Sequence, residues 1–195
     1  MKKADVKKLA VTGILVGITL FLGLTPFGII PIGPANMSFL AVPIVIGTII
    51  CGLPTGLLLG GIFGLTSLWK AFSAPSALVV PLMGESPVLV IVMSLVPRLL
   101  IPIVIWFVYK GVTKKGTLSK TGTGLAAAAG ALTNTVFYLG MMLLFYVLCG
   151  IDSEAVLAII GGVGALNGSL EAVGAVIVSI PVVMALRKTK GDGRR

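Results

Sequence analysis

The sequence predicts an all-α integral membrane protein, a single domain over residues 1–195 built as a bundle of six transmembrane helices with N- and C-termini cytoplasmic. Three observations carry this. The chain is 57% hydrophobic and only 11% charged, with a mean hydropathy of +1.14, whereas water-soluble domains carry about 25% charged residues. All but two of its fifteen Lys and Arg residues fall in three clusters: Lys2, Lys3, Lys7 and Lys8; Lys110, Lys114, Lys115 and Lys120; Arg187, Lys188, Lys190, Arg194 and Arg195. Positive flanks stay on the cytoplasmic side of a bilayer, so clusters at the start, middle and end require an even number of spans in each interval. Finally, the acidic residues Glu85, Asp152 and Glu154 lie in the breaks between, which marks those breaks as external.

The elements follow in order from the requirement of about 20 apolar residues per span. The first covers 9–24 and ends at Thr25-Pro26. Two prolines and two glycines in Phe27 to Ala35 predict an outer connection rather than a helix. The apolar run from Met37 to Trp69 is too long for one helix and breaks at Cys51-Gly52-Leu53-Pro54, giving spans at 37–52 and 55–69 joined by a tight inner turn. Three prolines and Glu85 make 70–87 an outer loop. The fourth span covers 88–109 with Pro97 and Pro102 inside it, and 110–122 is a basic cytoplasmic loop. The fifth covers 124–148. Glycines at 161, 162, 164 and 168 interrupt the last apolar stretch, predicting a short outer segment and then a sixth span over 168–186.

Several function classes are excluded by composition. The net charge of +9 sits at membrane flanks, where anionic lipid headgroups and not nucleic acid are the counterpart. The first helix lacks a signal-peptide cleavage pattern and is retained as a span. With no histidine, and with Cys51 and Cys149 isolated in apolar sequence, no metal site is expected. Ser-His and paired-carboxylate catalytic sets are missing, as is a phosphate-binding glycine loop. The chain is therefore expected not to be an enzyme and to need no cofactor.

What remains is a short polar inventory. Arg98 lies in the middle of the fourth span, Asn134 in the middle of the fifth, and Asn167 and Glu171 one turn apart in the sixth. Tyr138 and Met142 continue the Asn134 face. A charge at membrane depth costs roughly 3 kcal/mol and normally faces the bundle interior. These residues are expected to converge on an outward-opening cavity in which Arg98 forks onto a carboxylate and the asparagines serve hydroxyl and amide groups. The alternative is a buried Arg98–Glu171 ion pair that fixes only helix registry. Trp69 and Lys70 close the third span, either as rim ligands or as a belt aromatic and a snorkelling cation. Small-residue faces occur on the third span (Gly56, Gly60, Gly61 and Gly64), read as internal packing, and on the first (Gly13 and Gly17).

Four stretches carry a family resemblance: LTPFGIIPIGPANMSFLAVPIVIGTIICGLPTGLLLGGIFGLTSL (24–68), VPRLLIPIVIWFVYK (96–110), ALTNTVFYLG (131–140) and NGSLEAVGAVIVSIPVVMAL (167–186). In order and spacing they resemble the substrate-binding (S) components of energy-coupling factor (ECF) vitamin transporters, most of all the pantothenate-type branch. The resemblance implies a vitamin-binding subunit of a prokaryotic plasma membrane, multi-pass in the lipid bilayer. Its implied partners are a shared transmembrane coupling protein and two cytoplasmic ATPase subunits. It also implies docking through a small-residue face on the first helix, where this chain has Gly13 and Gly17. Many members of the family that the chain resembles carry a histidine ahead of the second-span proline where this chain has Ala41, which leaves another vitamin or precursor open. A self-sufficient proton-coupled transporter using Glu171 is the alternative of a different class.

Overall fold

The computed structural model describes residues 3–32, 35–113 and 119–191. Lys2, Lys114, Lys115, Arg194 and Arg195 of the basic clusters lie outside them. Helix α1 (Lys3–Leu24) is followed by a 3-10 turn at Pro26–Gly28 and a two-stranded antiparallel hairpin, β1 (Ile29–Ile32) and β2 (Ala35–Ser38), in which Ile29 pairs with Ser38 and Ile32 with Ala35. Then come α2 (Ala41–Cys51), α3 (Leu53–Ser73), the short α4 (Val79–Glu85), α5 (Pro87–Val112) and α6 (Lys120–Leu148). A further short helix, α7 (Glu154–Ile159), leads through a π-helical turn at Ile160–Gly164 into α8 (Ala165–Gly191).

Five helices among the described residues, α1, α3, α5, α6 and α8, are long and apolar enough to cross a membrane. The helix expected over 37–52 is shorter than those bounds. Its first residues belong to β2, and α2 is an 11-residue helix, about 16 Å long against a hydrocarbon core of about 30 Å. The all-α class holds, and this short hairpin is the one strand pairing among the described residues. Short apolar runs do not distinguish strand from helix, and here the backbone of 35–38 bonds across to 29–32.

α2 is nevertheless enclosed by protein, with ten of its eleven residues buried. It ends at Gly52, whose φ of +97° is a left-handed value that glycine adopts without strain. Pro54 then starts α3 at a position where its missing N–H costs nothing. The turn between α2 and α3 is thus a single residue.

The glycine face of α3 packs on α5. A Cβ on Gly60 would lie 2.6 Å from the Arg98 carbonyl oxygen, and one on Gly64 would lie 2.9 Å from Leu95. Gly56 meets Pro102 in the same way, at 2.8 Å, whereas Gly61 faces open space. Two buried apolar clusters flank a polar zone. Met93 and Met142 belong to one, Ile101 and Ala131 to the other, so residues 94–98 of α5 and 134–139 of α6 fall between them.

Candidate functional site

Prolines set up the key side chain. Pro97 has no N–H, so the Met93 carbonyl four residues earlier loses its helical donor. Arg98 supplies the missing bond: its Nη1 donates to the Met93 carbonyl at 2.9 Å, and its Nη2 donates to Ser67 Oγ of α3 at 3.0 Å. Pro102 does the same to the Arg98 carbonyl, the oxygen that lies against Gly60. The guanidinium also sits over two rings, 4.5 Å from the Tyr138 centroid and 5.3 Å from that of Phe63, a cation–π arrangement. Arg98 is 6% exposed.

Glu171, on α8, is held elsewhere. Its Oε1 accepts from the Ser38 backbone N–H at 3.1 Å, and its Oε2 accepts from Thr135 Oγ1 at 3.3 Å. The direct Arg98–Glu171 ion pair weighed from the sequence does not form: each charge is compensated by other groups. Gly168 allows the approach that makes this possible, since a Cβ there would touch Thr135 Cγ2 at 3.3 Å.

A cavity of about 400 Å³ opens onto these groups. Arg98, Asn134, Tyr138, Asn167, Glu171 and Lys70 all line it. Trp69 does not, and it is 67% exposed. Arg98 Nε, Asn134 Oδ1 and Asn167 Oδ1 are buried without a hydrogen-bond partner. Such groups are costly unless something satisfies them, and here they line one cavity of a size usual for small-molecule sites. The lining includes serine and threonine residues that sequence reasoning missed, among them Ser38, Ser67, Ser94 and Thr135. Little in the sequence marks them, because hydroxyls in apolar helices usually satisfy themselves on the preceding turn. Thr133, beside Thr135, does so on the Ala129 carbonyl.

Gly13 and Gly17 are exposed, and a Cβ on either would meet nothing within 4 Å. The buried side of α1 is formed by Leu15, Thr19 and Gly23, so the two glycines face away from the bundle.

A bundle of membrane-length helices around a half-open cavity into which several polar side chains converge defines a membrane protein with room for a small molecule. Comparison with known proteins makes the class specific. Residues 7–183 match the family described as ECF transporter, substrate-specific component, and the chain belongs to that family. It is similar to the pantothenic acid transporter PanT of Lactococcus lactis subsp. cremoris (strain MG1363), with 31% identity over 204 aligned residues that cover 98% of this chain and 100% of the relative. It is also similar to the pantothenate transporter PanT of Leuconostoc mesenteroides subsp. mesenteroides, with 28% identity covering 91% of each chain. The protein is thus a multi-pass transport protein of the bacterial cell membrane.

Proposed function

We propose that this protein captures pantothenate on the outer side of the membrane and delivers it through a shared transmembrane coupling protein powered by two cytoplasmic ATPase subunits. The observation that carries the ligand reading is the set of unpartnered Arg98 Nε, Asn134 Oδ1 and Asn167 Oδ1 on one cavity. Pantothenate is a carboxylate with two hydroxyls and one amide. Its hydroxyls and amide N–H suit the asparagine oxygens and Glu171, and its negative charge suits a cavity with two cations, Arg98 and Lys70. The names of the two relatives point the same way.

The transport reading also needs an orientation and a docking face. The basic clusters favour cytoplasmic termini and a cytoplasmic 110–122 loop, with α2 as a short returning segment between the hairpin and α3. The exposed Gly13 and Gly17 offer a shallow strip along α1 on which a partner helix can pack closely.

The decisive test is purification of the full chain in detergent, followed by native mass spectrometry and calorimetric titration with pantothenate. The expected result is a one-to-one complex. A protein that is folded and monodisperse yet ignores pantothenate would remove the ligand assignment.

A further inference from the structure

The two cations of the cavity are held differently. Arg98 is tied to its own helix through the Met93 carbonyl and to α3 through Ser67, with the Tyr138 and Phe63 rings against it. Lys70 is in the last turn of α3, three residues beyond Ser67, which is about 4.5 Å further along the helix. It lines the same cavity and is half-buried, and its side chain has no hydrogen bond or ion pair among the described residues.

Glu171 divides the cavity further. Each of its oxygens accepts one protein hydrogen bond, and a carboxylate has roughly four acceptor positions in all. Arg98 and Glu171 together sum to no net charge. That part of the cavity suits neutral groups that both donate and accept, because hydroxyls donate to Glu171 and the asparagine oxygens and accept from the remaining Arg98 donors. A second carboxylate placed there would face Glu171 and be repelled. The uncompensated positive charge is on Lys70.

We propose that Lys70 is the specificity residue for the ligand's carboxylate. A hydroxy-amide carboxylate then lies with its hydroxyl end between Arg98, Glu171, Asn134 and Asn167 and its carboxylate at the end of α3. The proposal rests on the reading of the cavity as a vitamin site and adds the direction in which the vitamin lies.

The test is titration of the full chain with pantothenate and with its neutral alcohol analogue, in which a hydroxymethyl group replaces the carboxylate. The wild type should prefer pantothenate by about ten- to hundredfold, the range for one hydrogen bond to a charged group. Lys70→Gln should lose that preference by weakening pantothenate alone, and Lys70→Arg should keep it. Arg98→Gln should weaken both compounds by similar factors and leave the preference intact. The proposal is overturned if Lys70→Gln keeps the preference, if it weakens both compounds alike, or if Arg98→Gln is the variant that abolishes the preference. A wild-type protein that binds neither compound would remove the vitamin reading itself, and this orientation with it.

Discussion

Arg98 completes the hydrogen bonding of its own helix. Its Nη1 donates to the Met93 carbonyl at 2.9 Å, the acceptor that Pro97 strips of its helical partner. A helix defect and a buried cation therefore solve each other's problem. The carbonyl gains a charge-assisted bond, and the guanidinium gains a fixed direction facing the cavity.

Pro97→Ala would return an N–H to that carbonyl and release Arg98. Thermal unfolding in detergent should show unchanged or higher stability. Pantothenate affinity should fall by about two- to tenfold, the worth of one ordinary hydrogen bond. Unchanged affinity would mean that the bond serves α5 alone.

Glu171 ties α8 to Ser38 at the end of the hairpin and to Thr135 of α6. Glu171→Ala leaves the Ser38 N–H without its acceptor and should cost about 1–3 kcal/mol. Glu171→Gln keeps an acceptor there and should cost less. Because Arg98 and Glu171 are not ion-paired, the double variant Arg98→Gln with Glu171→Gln should show a coupling of no more than about 1 kcal/mol. A coupling near the 3–5 kcal/mol of a broken buried pair would contradict the separate anchoring.

Gly60→Ala and Gly61→Ala should separate sharply in thermal unfolding. The first puts a Cβ 2.6 Å from the Arg98 carbonyl, and the second puts one into open space. The expected loss at Gly60 is about 1–3 kcal/mol, as for other overpacked contacts. Equal stability of the two variants would show that the α3–α5 contact at Gly60 can give way to a methyl group.

Gly13→Leu and Gly17→Leu test docking. A Cβ at either position meets nothing within 4 Å and both residues are exposed, so folding and pantothenate binding should match the wild type. Uptake by cells and co-purification with the coupling protein should be lost. Normal uptake in both variants would place the docking surface elsewhere.

Orientation is tested by single cysteines at Lys120 and Asp152 in a background lacking Cys51 and Cys149. An impermeant thiol reagent applied to intact cells should label the Asp152 position only. Equal labelling of both would remove the even-span topology.

Much of the architecture is local and was therefore legible in the sequence. A segment that crosses a bilayer must be apolar over its whole length and satisfy its own backbone, and both properties reside in consecutive residues. That is why the regions of α1, α3, α5, α6 and α8 were expected close to where they lie, and why the break before α8 showed in its glycines. The same locality made Arg98, Asn134, Asn167 and Glu171 conspicuous, as polar groups in apolar surroundings.

Tertiary structure decided what consecutive residues do not encode. Met37 and Ser38 are as compatible with a helix as with a strand, and pairing with Ile29 and Ile30 made them a strand, which shortened α2. Arg98 and Glu171 looked like natural partners by charge. The Pro97 defect captured one, and the Ser38 N–H, 133 residues from Glu171 in the chain, captured the other. Lys70 entered the cavity while its neighbour Trp69 turned away, because adjacent residues on a helix point about 100° apart. The sequence by itself determined which polar groups the membrane must accommodate. Which of them meet, and which stay free for a ligand, was decided by close packing of helix backbones, since hydrogen bonds act only over about 3 Å between groups that the chain order keeps far apart.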